Sequence, residues 1–226
     1  MIALVGQAGL PGTTADGPRV NRRQCLVSVA TWGAGLGLQG IPLAAAGGQL
    51  EEPLADSVRG ALSAAISNHA PPVPEFSSLE ARLAHLRWLG AMSDRLHRRK
   101  TDFQTRIEFL QTVWYESRRA GLDTTMVLGL IQVESAFRKF AISSVGARGY
   151  MQIMPFWVRL IGDGDVSKLF HMQTNLRFGC VILRHYLDRE NGNLFMALGR
   201  YNGSRGKPDY PNAVFAAARR WGYAGA

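Results

Sequence analysis

Met126-Val127-Leu128-Gly129-Leu130-Ile131-Gln132-Val133-Glu134 opens the stretch, running to Pro155, on which the reading of this chain turns. Its apolar residues are so dense that the segment reads as a helix buried nearly all round. One carboxylate, Glu134, closes it. Ser135, Ala136 and Phe137 follow, then a loop of small residues with Gly146 and Gly149, then Tyr150-Met151-Gln152-Ile153-Met154-Pro155. A carboxylate ending an apolar helix and facing a glycine-bearing loop loses water, and desolvation raises its pKa. A raised pKa keeps it protonated near neutral pH, fit to act as a general acid. The competing reading of the same pattern is ordinary: a helix-end glutamate that faces water or pairs with Arg138 or Lys139.

Helical patterns extend in both directions. Upstream, Asp123 to Thr125 caps the central helix. Asp102 caps another that carries Phe103, Ile107, Leu110 and Trp114 and ends near Gly121. Ser77-Ser78 with Glu80 starts a longer helix whose stripe is Leu79, Leu83, Leu86, Leu89, Met92 and Leu96. Both are expected to pack against the domain around Glu134. Leu54 to Ile66 gives a short amphipathic helix, and Pro71-Pro72-Val73-Pro74 marks a linker. Downstream, Pro155 opens a short helix to about Ile161, and Gly162-Asp163-Gly164-Asp165 forms a turn without the further ligands of a calcium loop. Thr174 starts a helix with Leu176, Cys180, Leu183 and Leu187 on one face. A short helix, Leu194 to Leu198, delivers Tyr201-Asn202 to a Gly/Ser/Pro loop, and a last helix runs from Pro211 to Trp221. Strand patterns are limited to a short extended piece at Ile142 to Val145, and no internal repeat is visible.

The totals add less. The 226 residues suffice for one sizeable domain with an appendage, and 26 Lys plus Arg against 17 Asp plus Glu give a net charge of +9. Positive charge suits a polyanionic partner, but it is scattered over several helices, so nucleic acid is not favoured over an anionic cell-wall polymer. Only Arg95 to Lys100 clusters, and it reads as a solvated helix end. The five histidines are dispersed, and the two cysteines form no framework. Neither a metal nor another cofactor is expected. Cys180 reads as a buried thiol. Residues 1–20 show no periodicity. Arg22-Arg23 ahead of a weakly apolar run closed by Ala44-Ala45-Ala46 reads as an export signal of the twin-arginine kind, and a membrane anchor over residues 26–45 is the alternative. Three parts result: an export signal and leader over 1–46, a short helix with a Pro-rich linker over 47–75, and the main domain over 76–226.

Glu134-Ser135-Ala136-Phe137, Ser143, Val145-Gly146-Ala147-Arg148-Gly149, Met151-Gln152-Ile153-Met154-Pro155, Asn175 with Gly179, and Tyr201-Asn202 occur in the order seen in soluble lytic transglycosylases. From about Tyr115 to Trp221 the chain resembles the lysozyme-like catalytic domain of that family. The resemblance implies a mainly α, lysozyme-like α+β fold. It implies an enzyme that cleaves peptidoglycan glycan strands between N-acetylmuramic acid and N-acetylglucosamine, and the export signal read in the leader would carry it to the periplasm. Glu134 would be the single acid/base, with 1,6-anhydromuramoyl ends as product. Ser143, Gln152, Met154, Tyr201 and Asn202 would then bind substrate, with the Tyr201 hydroxyl close to the catalytic carboxylate. Three positions depart from the family pattern: Ile182 replaces a sugar-contacting tyrosine, Tyr150 replaces a leucine, and Gly203-Ser204-Arg205 replaces Ala-Gly-Pro. A monomer is expected, either in general wall turnover or inside a secretion or conjugation machine. The rival readings are a goose-type lysozyme-like hydrolase and a non-catalytic wall-binding component of such a machine.

Overall fold

Eight α-helices follow one another through the described chain: α1 (Asp56–Ser67), α2 (Leu79–Leu96), α3 (Phe103–Arg119), α4 (Thr124–Ser135), α5 (Pro155–Ile161), α6 (Met172–Arg189), α7 (Leu194–Asn202) and α8 (Asp209–Ala218). Tight 3-10 turns occupy Val166–Phe170 and Arg219–Trp221. This computed structural model describes residues 48–67 and 74–224, all within one unit. The export signal and leader read over 1–46, Cys25 with it, and Pro71 to Val73 of the linker lie outside the described residues.

The apolar helix read around Leu128 is α4, the centre of the core. Met126, Val127, Leu128, Leu130 and Ile131 are all buried, as density on every side of the helix requires. Asp123 starts it by accepting the Met126 N–H at 2.7 Å, and Asp102 starts α3 by accepting the Thr105 N–H at 2.7 Å. α8 lies against α4 at the glycine: a Cβ at Gly129 would stand 2.6 Å from the backbone nitrogen of Ala218. α3 covers α4 from another side, and α6 joins α3 to α7. Glu116 of α3 and Arg177 of α6 meet at 2.9 Å, both nearly without exposure. α1 packs on α5 and α6 through Leu62 and Ile66, so the short helix before the linker belongs to the same core.

Four expectations change. Among the described residues no strand forms, and the extended piece at Ile142 to Val145 shrinks to the single bridges Ile142–Arg148 and Arg148–Ile153. The turn closed by Ser143 and Ala147 leaves no length for a ladder. Tyr201 and Asn202 are the last turn of α7 rather than part of a loop, because Gly203 supplies the left-handed cap two residues after Tyr201 (φ 73°). The stripe on α2 packs only from Leu89 onward; Leu79, Leu83 and Leu86 remain exposed. The Arg95 to Lys100 cluster is not merely solvated. Arg95 donates to the carbonyls of Arg220 and Gly222 at 3.2 and 2.7 Å, and Lys100 donates to the Tyr150 hydroxyl at 2.6 Å. Carbonyls at a helix end need donors, and Arg95 supplies them.

Candidate active site

Glu134 sits in the last turn of α4, half-buried, where the helix ends abruptly. Ala136 and Phe137 both take left-handed backbone (φ 49° and 66°), a conformation that costs about 1–2 kcal/mol for a residue with a Cβ. Such strain persists only where the surroundings over-determine it. Phe137 is 2 % exposed and packs edge-on against Phe109 and Trp221. Arg138 Nε donates to the Ser135 carbonyl at 3.0 Å, and Ser135 Oγ donates to the Tyr150 carbonyl at 2.7 Å. The stop after Glu134 is thus fixed from both directions.

The carboxyl of Glu134 accepts a short hydrogen bond from the hydroxyl of Tyr210, on α8. Loss of water around it pushes its pKa up to about 8, with the Tyr210 hydrogen bond pulling the other way. Below that pH the group carries a proton, which a general acid requires. Tyr201 is close enough for the Glu134 charge to push its hydroxyl pKa up, on top of burial. Its own hydrogen bond, however, runs to the Met151 carbonyl at 2.8 Å.

The remaining expected site residues divide by what their polar atoms already do. Gln152, itself left-handed (φ 48°) and 7 % exposed, donates to the carbonyls of Ala141 and Gly149 at 3.2 and 2.9 Å. Ser143 accepts the Ala147 N–H at 3.0 Å and closes its turn. Asn202 donates to Ser204 Oγ at 3.0 Å. These side chains shape the loops beside Glu134. Met154 is half-buried at the core edge. Asn175 and Gly179 of α6 hold the same loop from beneath. Asn175 accepts the Met151 N–H at 2.8 Å and donates to the Arg148 and Leu169 carbonyls at 2.9 and 2.8 Å. A Cβ at Gly179 would reach 2.2 Å from Met151 Sδ.

Of the three departing positions, Ile182 is fully buried, so it offers no face to a ligand. Tyr150 points into the core against Phe109 and Lys100. Cys180 is buried, and burial raises its thiol pKa well above the ordinary value. Tyr210, the hydrogen-bond partner of Glu134, is not among the residues that the sequence singles out. The last helix was expected from Pro211, one residue beyond it, and the available signal was a hydroxyl heading an otherwise apolar helix.

Residues 112–214 match the family model described as the transglycosylase SLT domain. The transglycosylase of Enterobacteria phage PRD1 is 31 % identical over 104 residues, covering 46 % of this chain and 38 % of that protein. Membrane-bound lytic murein transglycosylase C of Haemophilus ducreyi is 30 % identical over 114 residues, 44 % of this chain and 31 % of the relative. Its counterpart in Mannheimia succiniciproducens is 44 % identical over 48 residues, 21 % and 13 % of the two chains. This chain therefore spans well under half the length of the curated relatives it matches. An inactive mutant of lytic transglycosylase Slt from Pseudomonas aeruginosa aligns over 77 % of this chain and 38 % of its own, at 21 % identity and a TM-score of 0.46. The stretch that matches the transglycosylase SLT domain model takes in the helix bearing Glu134, the loop behind it and Tyr210.

Proposed function

We propose that this protein is a peptidoglycan lytic transglycosylase acting through Glu134 alone. The observation that carries the reading is a carboxyl protonated up to about pH 8, held by Tyr210, inside an SLT domain. Three acidic residues of neighbouring elements are engaged in contacts of their own. Asp123 caps α4, Glu116 pairs with Arg177, and Glu190 pairs with Arg200 and Arg205. Glycoside cleavage ordinarily uses two carboxylates, and the one-carboxylate route is the one that the resemblance to lytic transglycosylases implies. Glu134 donates its proton to the glycosidic oxygen between N-acetylmuramic acid and N-acetylglucosamine, and the C1–O4 bond breaks. The resulting carboxylate takes the proton of the muramic acid 6-hydroxyl as O6 bonds to C1, giving a 1,6-anhydro ring and restoring the acid. The nucleophile belongs to the substrate, so the second half gains from proximity. Ser143, Gln152, Met154, Tyr201 and Asn202 position the sugars, three of them by shaping the loops beside the acid. The place of action is the cell wall, reached by export to the periplasm, and it is supported by membrane-bound relatives.

Mass spectrometry of the soluble products from peptidoglycan tests this with wild type and Glu134→Gln. Anhydromuropeptides from the wild type alone are the expected result. Products one water heavier would replace the reading with a hydrolase, and products from neither protein would leave no lytic activity to explain.

A further inference from the structure

The segment just before α1 packs against Val145, Met154 and Gly203, beside residues of the candidate site. A Cβ placed on Gly48 would come within 3.2 Å of Val145 Cγ2 and 3.6 Å of Met154 Sδ. The Gly48 carbonyl oxygen in turn stands 2.3 Å from where a Cβ on Gly203 would be. The segment thus touches both the loop after α4 and the cap of α7, which flank Tyr201. Gln49 is 5 % exposed, and its Oε1 accepts the Met154 N–H at 3.3 Å. Its Nε2 is buried near Tyr201 and makes no hydrogen bond of good geometry. Glu52 is gripped by Arg189 and Arg200, and Leu54 packs against the core.

Building on the proposed function, we infer that Gly48–Glu52 is a strap that ends the sugar-binding groove on one side of Glu134. Gln49 is its specificity-determining residue, and cleavage is confined to glycan chain ends. A glycan strand is a linear polymer, and cutting it mid-chain needs open passage on both sides of the acid. A peptide segment seated on Met154 and Gly203 and sealed by Gln49 fills one of them. A strand then reaches Glu134 only when its terminus abuts the strap. The ion pairs at Glu52 and the burial of Gln49 hold the strap as a fixed wall rather than a gate.

The test uses uncross-linked glycan strands of known length and the full chain as wild type, Gln49→Gly and Glu52→Gln. Products are sized and weighed by mass spectrometry from the earliest time points. Glu52→Gln loosens the anchor without touching the site, so it serves where Gln49→Gly fails to fold. The expected result is that the wild type releases short anhydro-ended products first, one disaccharide at a time. Either folded variant shifts the first products toward longer anhydro-oligosaccharides. Long products from the wild type at the outset would overturn the strap. So would folded variants that keep the wild-type pattern, including variants that only turn over faster. Absence of anhydro ends from the wild type would instead overturn the chemistry on which the strap depends. Chain length and end chemistry are read separately, so the two failures are distinguishable.

Discussion

Glu134 is held against its own charge. Its pKa stands near 8 in the folded chain, above the ordinary 4.5, because burial removes water from the carboxylate. Between those values the folded state keeps a proton that the unfolded state has released. Stability therefore falls as pH rises from about 4.5 and levels off above about 8. Glu134→Gln, neutral at every pH, should melt at a higher temperature than the wild type at pH 8. The corresponding stability difference is on the order of a few kcal/mol and closes toward pH 4.5, as thermal melts across that range would show. The same substitution should abolish product formation. Tyr210→Phe removes the donor that holds the pKa down, so it should rise further. The alkaline limb of the pH–rate profile should then move to higher pH while the rate itself falls, and an unmoved limb would deny Tyr210 this role.

At the scale of elements, the site depends on two close approaches. α8 brings Tyr210 to Glu134 only because Gly129 leaves room for Ala218. Gly129→Ala should cost about 1–3 kcal/mol or more, since backbone cannot yield as a flexible side chain can. It should also weaken activity by moving Tyr210; urea unfolding and product assays measure the two effects. The loop Arg148 to Met151 rests on the side chain of Asn175, which forms three hydrogen bonds inside the core. Asn175→Ala strands their partners. It should destabilise by about 1–3 kcal/mol for each group left unsatisfied, with hydrogen exchange rising first at Met151. Asn175, read as a family motif residue, thus acts as scaffold, and the same holds for Gln152.

Across the whole molecule, the buried pair Glu116–Arg177 joins α3 to α6. Removing one partner leaves the other charge buried, so Glu116→Ala should destabilise by about 3–5 kcal/mol in chemical denaturation. Arg95 bonds the carbonyls after α8, and Trp221 donates to Gln132 of α4 at 3.0 Å, so the C-terminal end is tied back to the acid-bearing helix.

What the sequence by itself determined are the features written in local periods and short motifs. The all-round apolar run of α4, the caps Asp102 and Asp123, the Pro155 start of α5 and the placing of Glu134 at a helix end each follow from a few adjacent residues. What only the tertiary structure decided are contacts between residues far apart along the chain. Tyr210 reaches Glu134 from 76 residues away, Asn175 anchors Met151 from 24, and Gln49 meets Met154 from 105. No local pattern marks such pairs, because what selects them is the burial and hydrogen bonding available once α4, α6, α7 and α8 have packed. The sequence put a carboxyl at the end of an apolar helix, and the fold supplied the dry, tyrosine-bound setting that keeps it protonated.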